Sequence, residues 1–279
     1  MNYLKKNLLA ISAAMAFCVP ASAIAAQNSS IENILPNIHG KSLTTPVGWG
    51  SAYGTVFLGV GGSHPAPHSI NTDGAAAIGV GIGNPVKYAG LQMSISSLDM
   101  SAMGRYALNL HLHRYLGSAS SVAVGVENIM LTHSINDDSE SSSYIVYSHG
   151  VIDTAANYAL VYNHGILEKR VISERNRASN LHYSVGVGSG RFSKKSPDDV
   201  AAGKGKNGTS VFGNVAYEVF EEFNLVSDWN GTNLNAGVSK TFLISDSLPI
   251  VITLGAADLT RNSGSGRRFI GGIGTGFRL

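Results

Sequence analysis

Apolar and polar residues alternate at every second position through most of this chain, and helical periodicity is almost absent. The clearest case is "RYALNLHLHRY" (105–115), where Tyr106, Leu108, Leu110 and Leu112 alternate with Ala107, Asn109, His111 and His113. In "AAAIGVGIG" (75–83), Ile78, Val80 and Ile82 alternate with Gly79, Gly81 and Gly83. "SVAVGVEN" (121–128) sets Val122, Val124 and Val126 against Ala123, Gly125 and Glu127, and "LHYSVGVGSG" (181–190) sets Tyr183, Val185 and Val187 against His182, Ser184 and Gly186. Period-two alternation places the two sets on opposite faces of a strand. The same reading gives strands at 51–61, 88–97, 143–150, 210–220, 223–230, 233–243, 249–259 and 268–279, twelve in all. Only 143–150, "SYIVYSHG", does not declare its faces.

The polar face of these strands is small and neutral: Gly, Ser, Asn, Thr and His, with little Lys, Glu or Arg. A water-exposed sheet face normally carries charge. A closed barrel with lipid outside and a narrow polar interior needs the opposite, and its strands of ~9–11 residues alternate apolar-out, polar-in. The connections also alternate in length. "NPVK", "GSASS", "EEF" and "SDSLP" are short, whereas 62–74, 98–104, 129–142, 191–209 and 260–267 are longer or polar, with compact "NGTN" (230–233) among them. Short turns on one side and longer loops on the other suit a barrel in the outer membrane. The expected fold is therefore all-β: a transmembrane antiparallel up-and-down barrel over 51–279. Segment 151–180 breaks the rhythm. It reads as a periplasmic insertion, helical at "AANYAL", or as a further hairpin that makes fourteen strands.

The N-terminus "MNYLKKNLLAISAAMAFCVPASAIAAQ" has a basic start, an apolar run from Leu8 to Val19 and small residues in A-x-A order. It predicts a secretory signal peptide over 1–26. The apolar run is too short to span a bilayer as a helix, which takes roughly 20 residues. Lys5 and Lys6 leave with it, and they account for the whole formal net charge of +2. A near-neutral mature chain gives no argument for nucleic acid as a partner. Cys18 is the sole cysteine and leaves too, so disulfides and CxxC metal sites are excluded. Residues 27–50, "QNSSIENILPNIHGKSLTTPVGWG", precede the first strand and read as a periplasmic segment or as a plug folded into the barrel.

The signal, the strand pattern and the terminal strand "FIGGIGTGFRL" together resemble bacterial outer-membrane β-barrel proteins. In that family the last strand alternates apolar residues and ends on an aromatic; here Phe277 lies two residues before the end and Leu279 is last. The resemblance implies a place in the cell outer membrane, contact with its lipids, and recognition of the C-terminal strand by the barrel assembly machinery. "YEVFEEFNLVSDWNGTNLNAGVSKTF" (217–242) with "IVITLGAADLT" (250–260) resembles hairpins of uncharacterised porin-like barrels of cyanobacteria and related Gram-negatives, and faintly those of YjbH-type barrels. The sequence carries no signal for oligomeric state.

Candidate chemistry changes this picture little. His182 and Ser184 are two apart on one face, and "HYS" resembles the His-x-Ser stretch of lipid A deacylases. The family's following Asn is replaced by Val185, and the next acids are Asp198 and Asp199 in a loop. A nucleophile needs an assembled base and orienter, so no catalytic residue is assigned. Asn109, His111 and His113 share a face but have no placed acidic partner, so they read as lumen residues, with a metal or pH-gating role as the weaker alternative; no cofactor is expected. "GKGKNGTS" (203–210) contains GxGxxG but opens a strand, whereas a dinucleotide fingerprint opens a helix.

The expected lumen-lining residues are Asn109, His111, His113, Glu127, His182, Ser184, Asn214, Glu218, Asp228, Asn235 and Arg268. The expected membrane-facing residues are Leu108, Leu110, Leu112, Val122, Val124, Ile250, Ile252 and Phe277. Twelve strands enclose more space than the ~8 that side chains just fill, and glycines on the inward face would leave it emptier. The expected function is a narrow, weakly selective porin-like channel for small solutes. An accessory or structural barrel for surface polysaccharide or surface contact is the alternative, and a lipid-modifying hydrolase is a third reading.

Overall fold

A computed structural model describes residues 40–67, 71–100, 104–117, 119–132, 141–151, 158–163, 166–171, 181–220, 222–245, 248–264 and 266–279. Residues 1–39, which include the stretch read as a signal peptide, lie outside these. Twelve strands form one closed antiparallel barrel. They are β1 (Thr55–His64), β2 (Asp73–Gly83), β3 (Gly90–Asp99), β4 (Gly104–Gly117), β5 (Ser120–Met130), β6 (Ser142–Val151), β9 (Leu181–Gly188), β10 (Val211–Phe220), β11 (Phe223–Trp229), β12 (Leu234–Ser245), β13 (Leu248–Ala257) and β14 (Arg268–Arg278). Each pairs with its sequence neighbour, β6 pairs with β9, and β14 closes on β1 from Thr55↔Arg278 to His64↔Phe269. Closure leaves no strand edge for lipid to meet.

Two strands form a separate sheet and do not join the barrel wall. Within the irregular segment, β7 (Tyr158–Asn163) and β8 (Ile166–Val171) pair with each other alone. The barrel thus keeps twelve strands rather than fourteen. The helical reading of "AANYAL" fails at Tyr158–Leu160, which are strand; its first three residues lie outside the described ones. Tyr, Leu and Val alternate poorly there, and their β preference prevails.

The first strand starts four residues later than its alternation suggests. Gly54 takes φ +81° and Thr55 N–H donates to Ala52 O at 3.2 Å, so the chain turns sharply before it enters the wall. Residues 51–54 belong to the segment ahead of the barrel.

The outward face carries apolar side chains. Leu112, Val124, Ile145, Val185, Leu225 and Leu254 are all exposed. Leu108, Leu110, Val122, Ile250, Ile252 and Phe277 are half-buried among neighbours on strands whose alternate positions are buried; Leu110, for example, stands opposite both Met93 and Val126. The faces of β6 resolve as Ser142, Val146, Ser148 and Gly150 buried, with Ile145 and Val151 exposed.

The inward glycines do not leave the interior empty. Several of them stand opposite large rings. Phe57 faces Gly79 on one side and Gly276 on the other. Tyr144 faces Gly125 and Gly188, Phe212 faces Gly186, and His113 faces Gly90. Directly opposed residues are the closest side-chain pairs in a sheet, and the rings of Phe57, Tyr144, Phe212 and His113 occupy the space that a Cβ on Gly79, Gly125, Gly186 and Gly90 would take. A Cβ on Gly186 would lie 2.7 Å from Phe212 Cε2 and 2.7 Å from Ile145 O. Gly186→Val is therefore expected to destabilise the barrel by about 3 kcal/mol, read as a lower urea midpoint in detergent with an unchanged m-value. A midpoint equal to that of the natural chain would contradict this ring-over-glycine packing.

Candidate functional site

The segment before β1 runs through the barrel. From Gly40 to Ser51 all residues but Leu43 are buried. This strap has little strand alternation of its own, and barrel side chains take up much of its backbone hydrogen-bonding capacity. At its start, Ser239 Oγ donates to Gly40 O at 2.6 Å and Lys41 Nζ lies 2.8 Å from Glu218 Oε2 and 2.5 Å from Asn224 Oδ1. The strap then turns. Ser42 Oγ donates to Thr45 O at 2.6 Å and accepts from Thr45 N–H at 3.1 Å, the local hydroxyl–backbone bonding that favours turns.

From Thr44 onward the strap follows one line of the wall. Asn235, Asp228, Asn214, Ser184, Ser148 and Ser121 are successive cross-strand partners on β12, β11, β10, β9, β6 and β5. Each is buried. Asp228 Oδ2 accepts from Thr44 N–H at 2.6 Å and Leu43 N–H at 3.2 Å, and Asp228 Oδ1 accepts from Asn235 Nδ2 at 2.8 Å. Asn235 Nδ2 also donates to Thr44 Oγ1, and Asn214 Nδ2 to Thr45 Oγ1, both at 3.0 Å. Gly48 N–H donates to Ser148 Oγ at 2.7 Å, and Ser121 Oγ donates to Gly48 O at 2.5 Å. Ser148 and Ser184 share a hydrogen bond of 2.6 Å. A polar row spanning six neighbouring strands thus bonds four residues of the chain's own N-terminal segment, Leu43, Thr44, Thr45 and Gly48.

The exit is aromatic. Trp49 is buried with Val47 and Tyr115, and its ring meets His182 edge-on at 5.8 Å. Trp49 O contacts His111 Nε2 at 3.1 Å, Tyr115 Oη donates to Gly50 O at 3.3 Å, and Ser51 donates from both N–H and Oγ to Gln92 Oε1. His111 Nδ1 also meets Tyr144 Oη at 2.8 Å and stacks on His113 at 5.3 Å.

The long connection between β9 and β10 reaches the strap from the other side. It holds a 3-10 turn, Gly190–Phe192, and one short helix, α1 (Pro197–Ala201). Phe192 is fully buried on Phe212, ring centroids 4.3 Å apart. Arg191 pairs with Glu127 and donates from Nη2 to Thr44 O at 3.0 Å. At the same end Arg268 pairs with Asp258 at 2.7 Å and donates to Ser63 Oγ at 3.2 Å.

Of the residues read as lumen-lining, Ser184, Asn214, Asp228 and Asn235 lie in the polar row; His111 and Glu218 touch the strap; Glu127 touches it through Arg191. His113 and His182 are buried beside it. Arg268 sits apart, and half-buried Asn109 bonds Ser94, Ser96 and Asn128 N–H within the wall. Among the described residues no group of three His, Cys, Asp or Glu converges as for a metal. His182 is fully buried against Trp49, and Ser184 bonds Ser148 instead. Lys41, Thr44, Gly48 and Ser121 were invisible as site residues, because the strap has no motif and its seat appears only once the strands pair.

No family model matches the chain, and no curated protein sequence matches it. Among solved structures it is similar to the KdgM porin in complex with disordered oligogalacturonate, at 7% identity and TM-score 0.43, covering 81% of this chain and 99% of that one. It is similar to outer membrane phospholipase A from Escherichia coli at 12% identity and TM-score 0.40, covering 81% and 97%. It is also similar to a triple-mutant porin of Rhodopseudomonas blastica at 9% identity and TM-score 0.31, covering 74% and 55%.

Proposed function

We propose that this protein is an outer-membrane barrel closed at rest by its own N-terminal strap, and that it passes small solutes in the manner of a porin only when the strap leaves its seat. The observation that carries this reading is the burial of Gly40–Ser51 along the polar row. Apolar residues on the outward face support the membrane location, since lipid tolerates a row of Leu, Val and Ile that water does not. The polar lining supports passage of solute: Ser, Asn and Asp side chains that now bond the strap would bond water or a hydroxylated solute once it is gone. Contact with outer-membrane lipids and handling of the last strand by the assembly machinery belong to the same proposal.

The test is electrical. The natural mature chain in planar bilayers is expected to be silent or to open only in rare events, and a variant whose strap cannot seat, Gly48→Val, is expected to conduct steadily. Steady conductance by the natural chain would contradict closure at rest. Silence of the strap-displaced chain would favour the accessory or structural reading, in which the strap is a permanent core.

A further inference from the structure

We infer that the emptied lumen prefers cations, with Glu218 and Asp228 setting the preference. This rests on the reading that the strap leaves. The ion pairs and carboxylates placed around the strap and the loop mouth include Lys41 with Glu218, Arg191 with Glu127, Arg268 with Asp258, and Asp228. Within this set four carboxylates face three cations while the strap is seated. Two of the cations, Arg191 and Arg268, belong to the wall or its loops and stay with their partners. The third, Lys41, is part of the strap and departs with it.

Departure strips two carboxylates at once. Glu218 loses the ammonium at 2.8 Å. Asp228 loses the backbone N–H donors of Leu43 and Thr44 and keeps Asn235 Nδ2. The two acids stand on one stretch of wall. β10 and β11 pair Asn214 with Asp228 and Glu218 with Asn224, so the carboxylates are four residues apart along the strands, about 13 Å. They offer a cation two successive stops rather than one deep well, the arrangement that permits entry and exit. His111, His113 and His182 are also buried beside the strap. A unit charge about 5 Å from a passing ion in water alters its local concentration roughly fourfold, so the open pore should select K+ over Cl− by about fourfold or more.

The experiment is the reversal potential of the Gly48→Val chain in a planar bilayer at pH 8 under a tenfold KCl gradient. The expected sign is that of a cation-preferring pore, and Glu218→Gln with Asp228→Asn in the same chain should bring the permeability ratio towards one. A chain lacking residues 27–51 serves if Gly48→Val does not insert. A pore with no preference, a preference for chloride, or a ratio unmoved by the two substitutions overturns this inference and leaves strap closure standing. No conductance from either displaced chain overturns both.

Discussion

Gly48→Val is expected to turn a closed barrel into a conducting one, the largest functional change any single substitution in this chain should cause. A Cβ at residue 48 would lie 2.6 Å from Ser121 O, 3.0 Å from Ser121 C and 3.1 Å from Ser148 N. All three are backbone atoms of β5 and β6, and those strands are fixed by their own ladder from Ser120↔His149 to Glu127↔Ser142. A side-chain contact could relax by changing rotamer, but this one cannot. The wall is held by twelve hydrogen-bonded strands and the strap by side-chain bonds and the packing of Val47 and Trp49, so the strap should yield. Its exit also removes the bonds from Ser148 Oγ to Gly48 N–H and from Ser121 Oγ to Gly48 O. Single-channel recording checks this: long open dwell times in Gly48→Val against near-silence in the natural chain. Far-UV circular dichroism should show the same strand content in both.

Lys41→Ala is expected to loosen the strap by about 3 kcal/mol. Lys41 is 1% exposed, and its partner Glu218 is 8% exposed at the side chain. Removing one member of a buried pair leaves the other charge uncompensated, which typically costs ~3–5 kcal/mol. Asn224, which accepts from Lys41 Nζ at 2.5 Å, loses that bond as well. At 1.36 kcal/mol per tenfold change, the open fraction should rise by about 100-fold, measurable as open probability. Glu218→Gln in the Lys41→Ala background should recover part of the loss, because the residual penalty is mostly the unpaired carboxylate. Lys87→Ala, on an exposed turn, should leave the open probability unchanged.

The wall of this protein is written plainly in its residues. Alternation in "RYALNLHLHRY" puts His111 and His113 inside and Leu112 outside, because a two-residue period leaves a strand no other way to separate its faces. Asp228 and Asn235 flank the Asn-Gly turn at 230–231, whose chemistry announces a hairpin. Glycine was harder to interpret. "AIGVGIG" reads as an emptied interior, but Gly79 is the seat of Phe57 from the neighbouring strand, and such a pair is visible only when register is known. The strap was hardest. "GKSLTTPVGWG" has no period, and its partners lie far along the chain: Asn235 is 191 residues from Thr44 and Ser148 is 100 from Gly48. Local pattern carries no trace of contacts at that separation. Segment 51–54 misleads in a different way: its apolar and small residues continue the alternation of β1 while Gly54 turns the backbone away.

The account turns on residues 40–51 lying inside the barrel, and a thiol placed on the strap reports this directly. From residue 27 onward the chain has no cysteine, and Thr45 is fully buried against Asn214, so Thr45→Cys provides a single near-isosteric probe. In the folded protein, reconstituted in vesicles, this thiol should react with a water-soluble maleimide at least 100-fold more slowly than Lys206→Cys on an exposed loop, and as fast as it after denaturation. Labelling of Thr45→Cys in the folded barrel at the rate of the loop control would place the strap outside and contradict the account.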